Sequence, residues 1–190
     1  MRYRCFQNLG LTRVVAVVLA TNRAWAGEAV CMNRAGNPAT AYRAQGVAAR
    51  ILKGADVQLE FKNDARACAA LRGAIVITVS EQTPATDHPG ALAYAMPYEQ
   101  THIVVFYDRV LANFRPAGVP SLFGHVLAHE IAHILQGVER HSSTGVMKKK
   151  WDYGDYVEMQ RQPLRFTDED LRLIRQGLRN RASTGLRSAL

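Results

Sequence analysis

The residues best equipped for chemistry in this 190-residue chain fall between positions 129 and 147. His129-Glu130-Ile131-Ala132-His133 forms an H-E-x-x-H. On a helix, residues four apart share a face, so the two imidazoles can grip one metal ion from successive turns. Glu130 projects beside that ion without ligating it, where it can take a proton from water. Imidazole suits zinc at neutral pH, and a catalytic zinc keeps one coordination position open for water. The competing reading is a buried helix whose histidines only hydrogen-bond. It leaves two imidazoles and a carboxyl to be satisfied in apolar surroundings, which is costly.

Two histidines do not complete a zinc site. His141 follows the helix stop Gly137, so the chain can turn back and bring it to the metal. Glu139 is the other near candidate, and Asp152, Asp155 and Glu158 are more distant acids. Gly145-Val146-Met147 follows, with Met147 placed to floor the site.

HEIAH, a glycine, a third histidine followed by Ser142, and then GVM together resemble the metzincin branch of zinc metalloendopeptidases, in which H-E-x-x-H-x-x-G-x-x-H precedes a Met-turn. The register departs from that pattern. Gln136 and Glu139 stand where the glycine and third histidine belong, and Gly137 and His141 arrive one and two residues late. One more helical residue and one more loop residue would restore the geometry. The resemblance favours His141 as third ligand, and Glu139, being in register, stays open. It also implies zinc held by His129, His133 and His141, Glu130 as general base, and peptide substrates. A tyrosine beyond the Met-turn donates to the oxyanion in some relatives, a role that would fall to Tyr153. The same signature is found in small bacterial secreted proteins that this chain also resembles. Only residues 129–147 are motif-specific; over the rest, the likeness is one of element order.

Those elements can be read in turn. Residues 29–33 predict a strand, 38–53 an amphipathic helix with Gln45 on its polar side, and 57–61 a second strand, making a β-α-β unit. A short helix over 63–71 carries Cys68. Residues 74–79 form an apolar strand, and 91–96 and 103–107 a hairpin, with Asp108 as cap of a short helix. The metal helix runs from about Ser121 to Gln136, its apolar stripe on one face and its histidines on another. A short helix over 153–160 follows. Thr167 caps a last helix, with Asp170 where a capping box usually has Glu, and that helix runs to about Arg179. The expectation is one α+β domain of zincin-like, metzincin type, with a mixed, mostly parallel sheet.

The start of the chain reads differently. Arg2, Arg4 and Arg13 precede the apolar run 14–20, and Ala24-Trp25-Ala26 has the small-x-small pattern of a signal-peptidase site. Residues 1–26 therefore predict a secretory signal cleaved after Ala26, leaving a domain over 27–190. The apolar run is too short for a comfortable membrane anchor. Export places the protein in a periplasm or outside the cell. It also reduces the formal net charge of +8 to +4, because the signal holds four arginines and no acid. That is an ordinary surface rather than a nucleic-acid footprint, and Lys148-Lys149-Lys150 reads as a solvated loop. Of the three cysteines, Cys5 leaves with the signal, and Cys31 and Cys68 predict a disulfide in an oxidising compartment. The alternative is Cys31 as an inhibitory thiolate on the zinc. His125 reads as a residue behind the ligands or on the surface, because three ligands along one helix would span too great a length for one ion; His88 and His102 read as structural, and Trp151 as core or rim packing. The sequence thus predicts a secreted zinc endopeptidase; the alternative is an exported, zinc-stabilised binding or structural domain.

Overall fold

The computed structural model describes residues 27–33 and 36–185. The expected signal segment lies outside the described residues. The elements run β1 (Glu28–Met32), α1 (Pro38–Lys53), β2 (Leu59–Lys62), α2 (Ala65–Ala69), β3 (Ile75–Ser80), β4 (Ala93–Ala95), β5 (His102–Phe106), α3 (Tyr107–Ala112), α4 (Val119–Gln136), α5 (Tyr153–Arg161) and α6 (Asp168–Ser183). The strands form one sheet in the order β2-β1-β3-β5-β4. Its pairs are parallel except the last, in which β4 runs antiparallel to β5 and forms an edge. This is the mixed, mostly parallel α+β sheet that the sequence predicts.

Alternation along the strands determines which face carries the core. Ile75, Ile77 and Val79 of β3 are buried between more open neighbours, and with Val30 and Met32 of β1 they pack against α1 and α4. The opposite face carries a small cluster of Ala29, Cys31 and Ala74. There the predicted disulfide joins Cys31 to Cys68 across a Cα separation of 5.7 Å and ties α2 to β1. A free Cys31 thiolate on a metal is thereby excluded.

Asn37 caps α1 by accepting from the amides of Ala39 and Thr40, with Pro38 at the first helical position. Gln45, expected on the polar side, is instead buried and reaches Asn63. The metal helix departs from expectation as well. α4 begins at Val119, and from Leu122 to Gln136 every residue is buried. Its apolar sides pack against α1, α5, α6 and the sheet, and its histidines, on another face, are buried as well. Ser121 lies inside its first turn, and the Ser121 hydroxyl donates to the Met159 carbonyl. Among the described residues no helix is long and apolar enough to cross a membrane.

α6 opens with the predicted capping box of Thr167 and Asp170 but runs on to Ser183, because Ile174, Leu178 and Arg181 continue its buried face. A Cβ at Gly177 would stand 1.6 Å from the Leu135 carbonyl oxygen, so a bare backbone there lets α6 lie directly on α4. Buried Arg181 then donates to the carbonyls of Gln100 and Gly73 and to Glu28, fastening α6 to the sheet.

Asp108 lies inside the first turn of α3 rather than at its cap, and accepts from the backbone and hydroxyl of Thr83. Next to it, Arg109 holds the long segment between β3 and β4. Its guanidinium donates to the carbonyls of Pro84, Asp87, His88 and Ala91 and lies 4.4 Å from the Phe106 ring centroid.

Candidate metal centre

α4 places His129 and His133 one turn apart, and Gly137 ends the helix in the left-handed conformation at φ 68°. That turn aims the next carbonyl back at the helix: His133 Nδ1 donates to Val138 O at 3.2 Å. His129 Nδ1 donates to Val146 O at 2.8 Å. A carbonyl only accepts, so both imidazoles carry their hydrogen on Nδ1 and present a bare lone pair at Nε2. The two Nε2 atoms lie 3.1 Å apart. Two lone pairs at that distance repel unless a cation sits between them. A tetrahedral zinc with Zn–N near 2.0–2.1 Å separates its nitrogen ligands by about 3.3 Å, so the donor pair fits that ion.

His141 completes the group: one ligand nitrogen from each of His129, His133 and His141 lies within 4.8 Å of the others. Glu139 is not among the residues that converge this way, although it lines the same cleft. Asp152 and Asp155 are engaged elsewhere, ion-paired with Lys148. The late arrival of His141 is thus absorbed by the helix stop at Gly137 and the loop that follows.

That loop is held from two sides. Ser142 N donates to Met147 O at 2.8 Å and Val146 N to Arg165 O at 3.0 Å, closing a turn with Val146 and Met147 fully buried. On the other side stands Asp170, fully buried, accepting from Ser142 Oγ at 2.6 Å, Arg140 at 3.0 Å, and the amide and hydroxyl of Thr167. Sequence reasoning assigned Asp170 a cap and nothing more. Its one signal was the shorter Asp where a capping box usually has Glu.

Burial sets the charge states. It pushes His129 down to about 3, reinforced by His133 and His141, and pushes His133 down to about 4. His141 is also lowered by burial, with the Lys149 charge adding to the effect. Burial pushes the Glu130 carboxyl the other way, up to about 8; the Ala95 backbone amide opposes the rise and Glu139 adds to it. The metal-free site at pH 7 therefore holds neutral imidazoles ready to ligate and a neutral carboxyl beside them.

These groups floor a cleft of about 680 Å³. One wall is the segment from His88 through β4; the other is Lys148–Trp151. The lysine run, read from sequence as a solvated loop, thus borders the candidate centre. Trp151 fixes that wall by donating to Gly145 O and setting its ring edge-on to His129 at 5.6 Å. Tyr153 is 83% exposed and lines no part of the cleft, whereas Tyr156 does. His125 is fully buried, donating to Ser121 O and accepting from Leu164 N, so both its ring nitrogens are occupied. His88 stacks on Tyr94 at the rim, and His102 bonds locally to Thr101 and Glu99.

No protein-family model matches the chain, and no curated protein matches it in sequence. Solved structures do. Archaemetzincin from Methanopyrus kandleri superposes with a TM-score of 0.56 at 17% identity, over 84% of this chain and 99% of that one. Myroilysin gives 0.34 at 14% identity, over 57% and 47% of the two chains, too low a score to bear on the fold. The mixed, mostly parallel α+β fold expected from the sequence is therefore the fold the chain has, and it is shared with archaemetzincin across nearly all of that protein's length.

Proposed function

We propose that this chain is an exported zinc-dependent endopeptidase. The observation that carries the reading is the convergence of three imidazoles with the Nδ1 atoms of His129 and His133 tied to carbonyls and their Nε2 atoms facing each other. His129, His133 and His141 would hold the ion, and Glu130 would act beside it. A zinc ion bound there supplies a Lewis acid for the scissile carbonyl and acidifies the attacking water. Glu130 takes the proton of that water on a carboxylate oxygen and delivers it to the departing amine nitrogen as the C–N bond breaks. Burial among apolar side chains, which lifts the Glu130 carboxyl, suits it to hold a proton between those two moments.

The edge strand is suited to position a peptide. Phe106 N donates to Leu92 O and Met96 N to His102 O, so these alternate residues of the β4 segment face β5. The Ala93 amide and carbonyl and the Ala95 carbonyl consequently face away from the sheet, where an extended peptide can pair with them, while the Ala95 amide is held by Glu130. Export is supported by residues 1–26 and by the Cys31–Cys68 disulfide, which suits an oxidising compartment.

The test is metal content and cleavage measured together on the exported protein. One zinc per chain is expected, lost in His141→Ala and retained in Glu139→Ala. Glu130→Gln should keep its zinc and cleave unfolded protein at least 100-fold more slowly, on the order of a general base's contribution. Zinc retained by the parent protein with no cleavage of any peptide would instead identify a zinc-stabilised binding domain. A preparation that takes up no zinc would remove both.

A further inference from the structure

The wall facing β4 carries an arrangement that metal chemistry does not require. Lys148, Lys149 and Lys150 all line the cleft, but they are not equivalent. Lys148 is held by Asp152 and Asp155, which places a fixed and neutralised cation at the base of the wall. Lys149 and Lys150 are exposed, and among the described residues neither has a carboxylate within ion-pair distance. Trp151, anchored to Gly145 O and edge-on to His129, fixes the chain immediately after them, so the backbone from which both lysines extend is held at the border of the cleft that the three histidines line. Glu139 is the one exposed acid lining the same cleft, leaving two unpaired cations against one anion.

A peptide lying along β4 would continue the sheet, with its side chains pointing alternately to the two faces, and those on the cleft face enter the space that Lys149 and Lys150 also line. We propose that Lys149 and Lys150 select substrates carrying a carboxylate close to the scissile bond, as an Asp or Glu side chain or as a free C-terminus. This rests on the peptidase reading and narrows it to acidic peptides. Two exposed ammonium groups discriminate modestly and in a salt-dependent way, so the preference for an acidic over an isosteric neutral residue is at most on the order of tenfold at low ionic strength and is largely lost near 1 M salt.

The experiment scans Asp, Asn and Lys through an alanine-rich, dye-labelled decapeptide, with amidated and with free C-termini. Cleavage is measured with the zinc-loaded protein and binding with zinc-loaded Glu130→Gln. Expected is faster cleavage and tighter binding of Asp peptides at one or two positions. The preference should be reduced in Lys149→Ala/Lys150→Ala and reversed toward Lys peptides in Lys149→Glu/Lys150→Glu, with zinc content reporting that each variant is folded. Arg50→Glu, on α1 outside the cleft, should not shift the preference, which separates a local effect from overall charge. If the amidated Asp peptides show no advantage but free C-termini do, the terminal carboxylate is the group selected. Cleavage indifferent to acid would overturn this inference and leave the peptidase reading standing. Acid-selective binding without cleavage would do the reverse, and no peptide binding at all would remove both.

Discussion

Burial acts in opposite directions on neighbouring side chains of one helix. It holds His129 near 3 and His133 near 4, so both are unprotonated at pH 7, and it holds Glu130 near 8, so the carboxyl keeps its proton there. A divalent cation between the imidazoles reverses the balance for Glu130 alone, because the nearby positive charge favours the carboxylate. Zinc binding should therefore release close to one proton per ion between about pH 5.5 and 7.5, fading above about pH 9, where the metal-free carboxyl is already ionised. Calorimetric titration in buffers of different ionisation enthalpy measures this directly, and Glu130→Gln should remove the carboxyl's share, leaving only what the zinc-bound water releases. The sign for stability follows from the same shift. A carboxyl raised above its unfolded value contributes stability below about pH 4.5 that is lost as pH rises through about 8. Metal-free Glu130→Gln should accordingly gain in melting temperature over the parent at pH 8 and not at pH 4.

At the scale of elements, the loop bearing His141 is only as fixed as the two structures that grip it. α4 supplies the Gly137 turn and α6 supplies Asp170. Burial alone would raise the Asp170 carboxyl, but the bonds from Ser142, Thr167 and Arg140 outweigh it and hold the group below the usual carboxylate range. Its contribution is thus present above the unfolded value and lost only as pH falls through the still lower folded one. Asp170→Ala leaves a guanidinium, two hydroxyls and a helix-cap amide without their acceptor. The expected cost is about 2–4 kcal/mol by denaturant unfolding, together with weaker zinc retention because residues 140–142 are released. A drop in stability with unchanged zinc affinity would show that α6 does not position His141. The sequence made the two helix ends legible: Gly137 as a stop and Thr167 as a cap both carry local signals. The bond from Asp170 to Ser142 spans 28 residues, and no local pattern encodes it. The same holds for the enclosure of α4. Its apolar stripe was visible, but the burial of its other positions depends on α1, α5 and α6 closing around it, partly through the bare backbone at Gly177.

Across the whole molecule, the centre and the covalent tether occupy opposite faces of the sheet. The disulfide closes a span of 37 residues around the β1-α1-β2 unit, while two of the histidines project from α4, which packs on the other face. Chain-entropy arguments put the stabilisation from such a link at about 3–4 kcal/mol. Reduction should therefore lower the melting temperature of the protein by roughly 6–15 °C, taking the shift per kcal/mol expected for a domain of this size, while zinc stoichiometry at 25 °C is unchanged. Loss of zinc on reduction would mean that β1 and α4 are mechanically coupled through the core. The fold class and the pairing of Cys31 with Cys68 were both readable from the chain, because strand periodicity, an even cysteine count and one helix with metal-ligand spacing are local properties. The charge lining the cleft was not, since Lys149 and Lys150 acquire meaning only when the 148–151 segment and β4 come to line one cleft.

The clamp made by Arg109 carries one more consequence. Its guanidinium fastens residues 84–91 through four main-chain carbonyls, a group that every amino acid supplies. The side chains of that stretch are thereby relieved of holding it in place. Substitution there can re-contour the mouth of the cleft while Arg109 keeps its path, so over evolutionary time this rim is free to diversify what the site admits at little cost to the scaffold beneath.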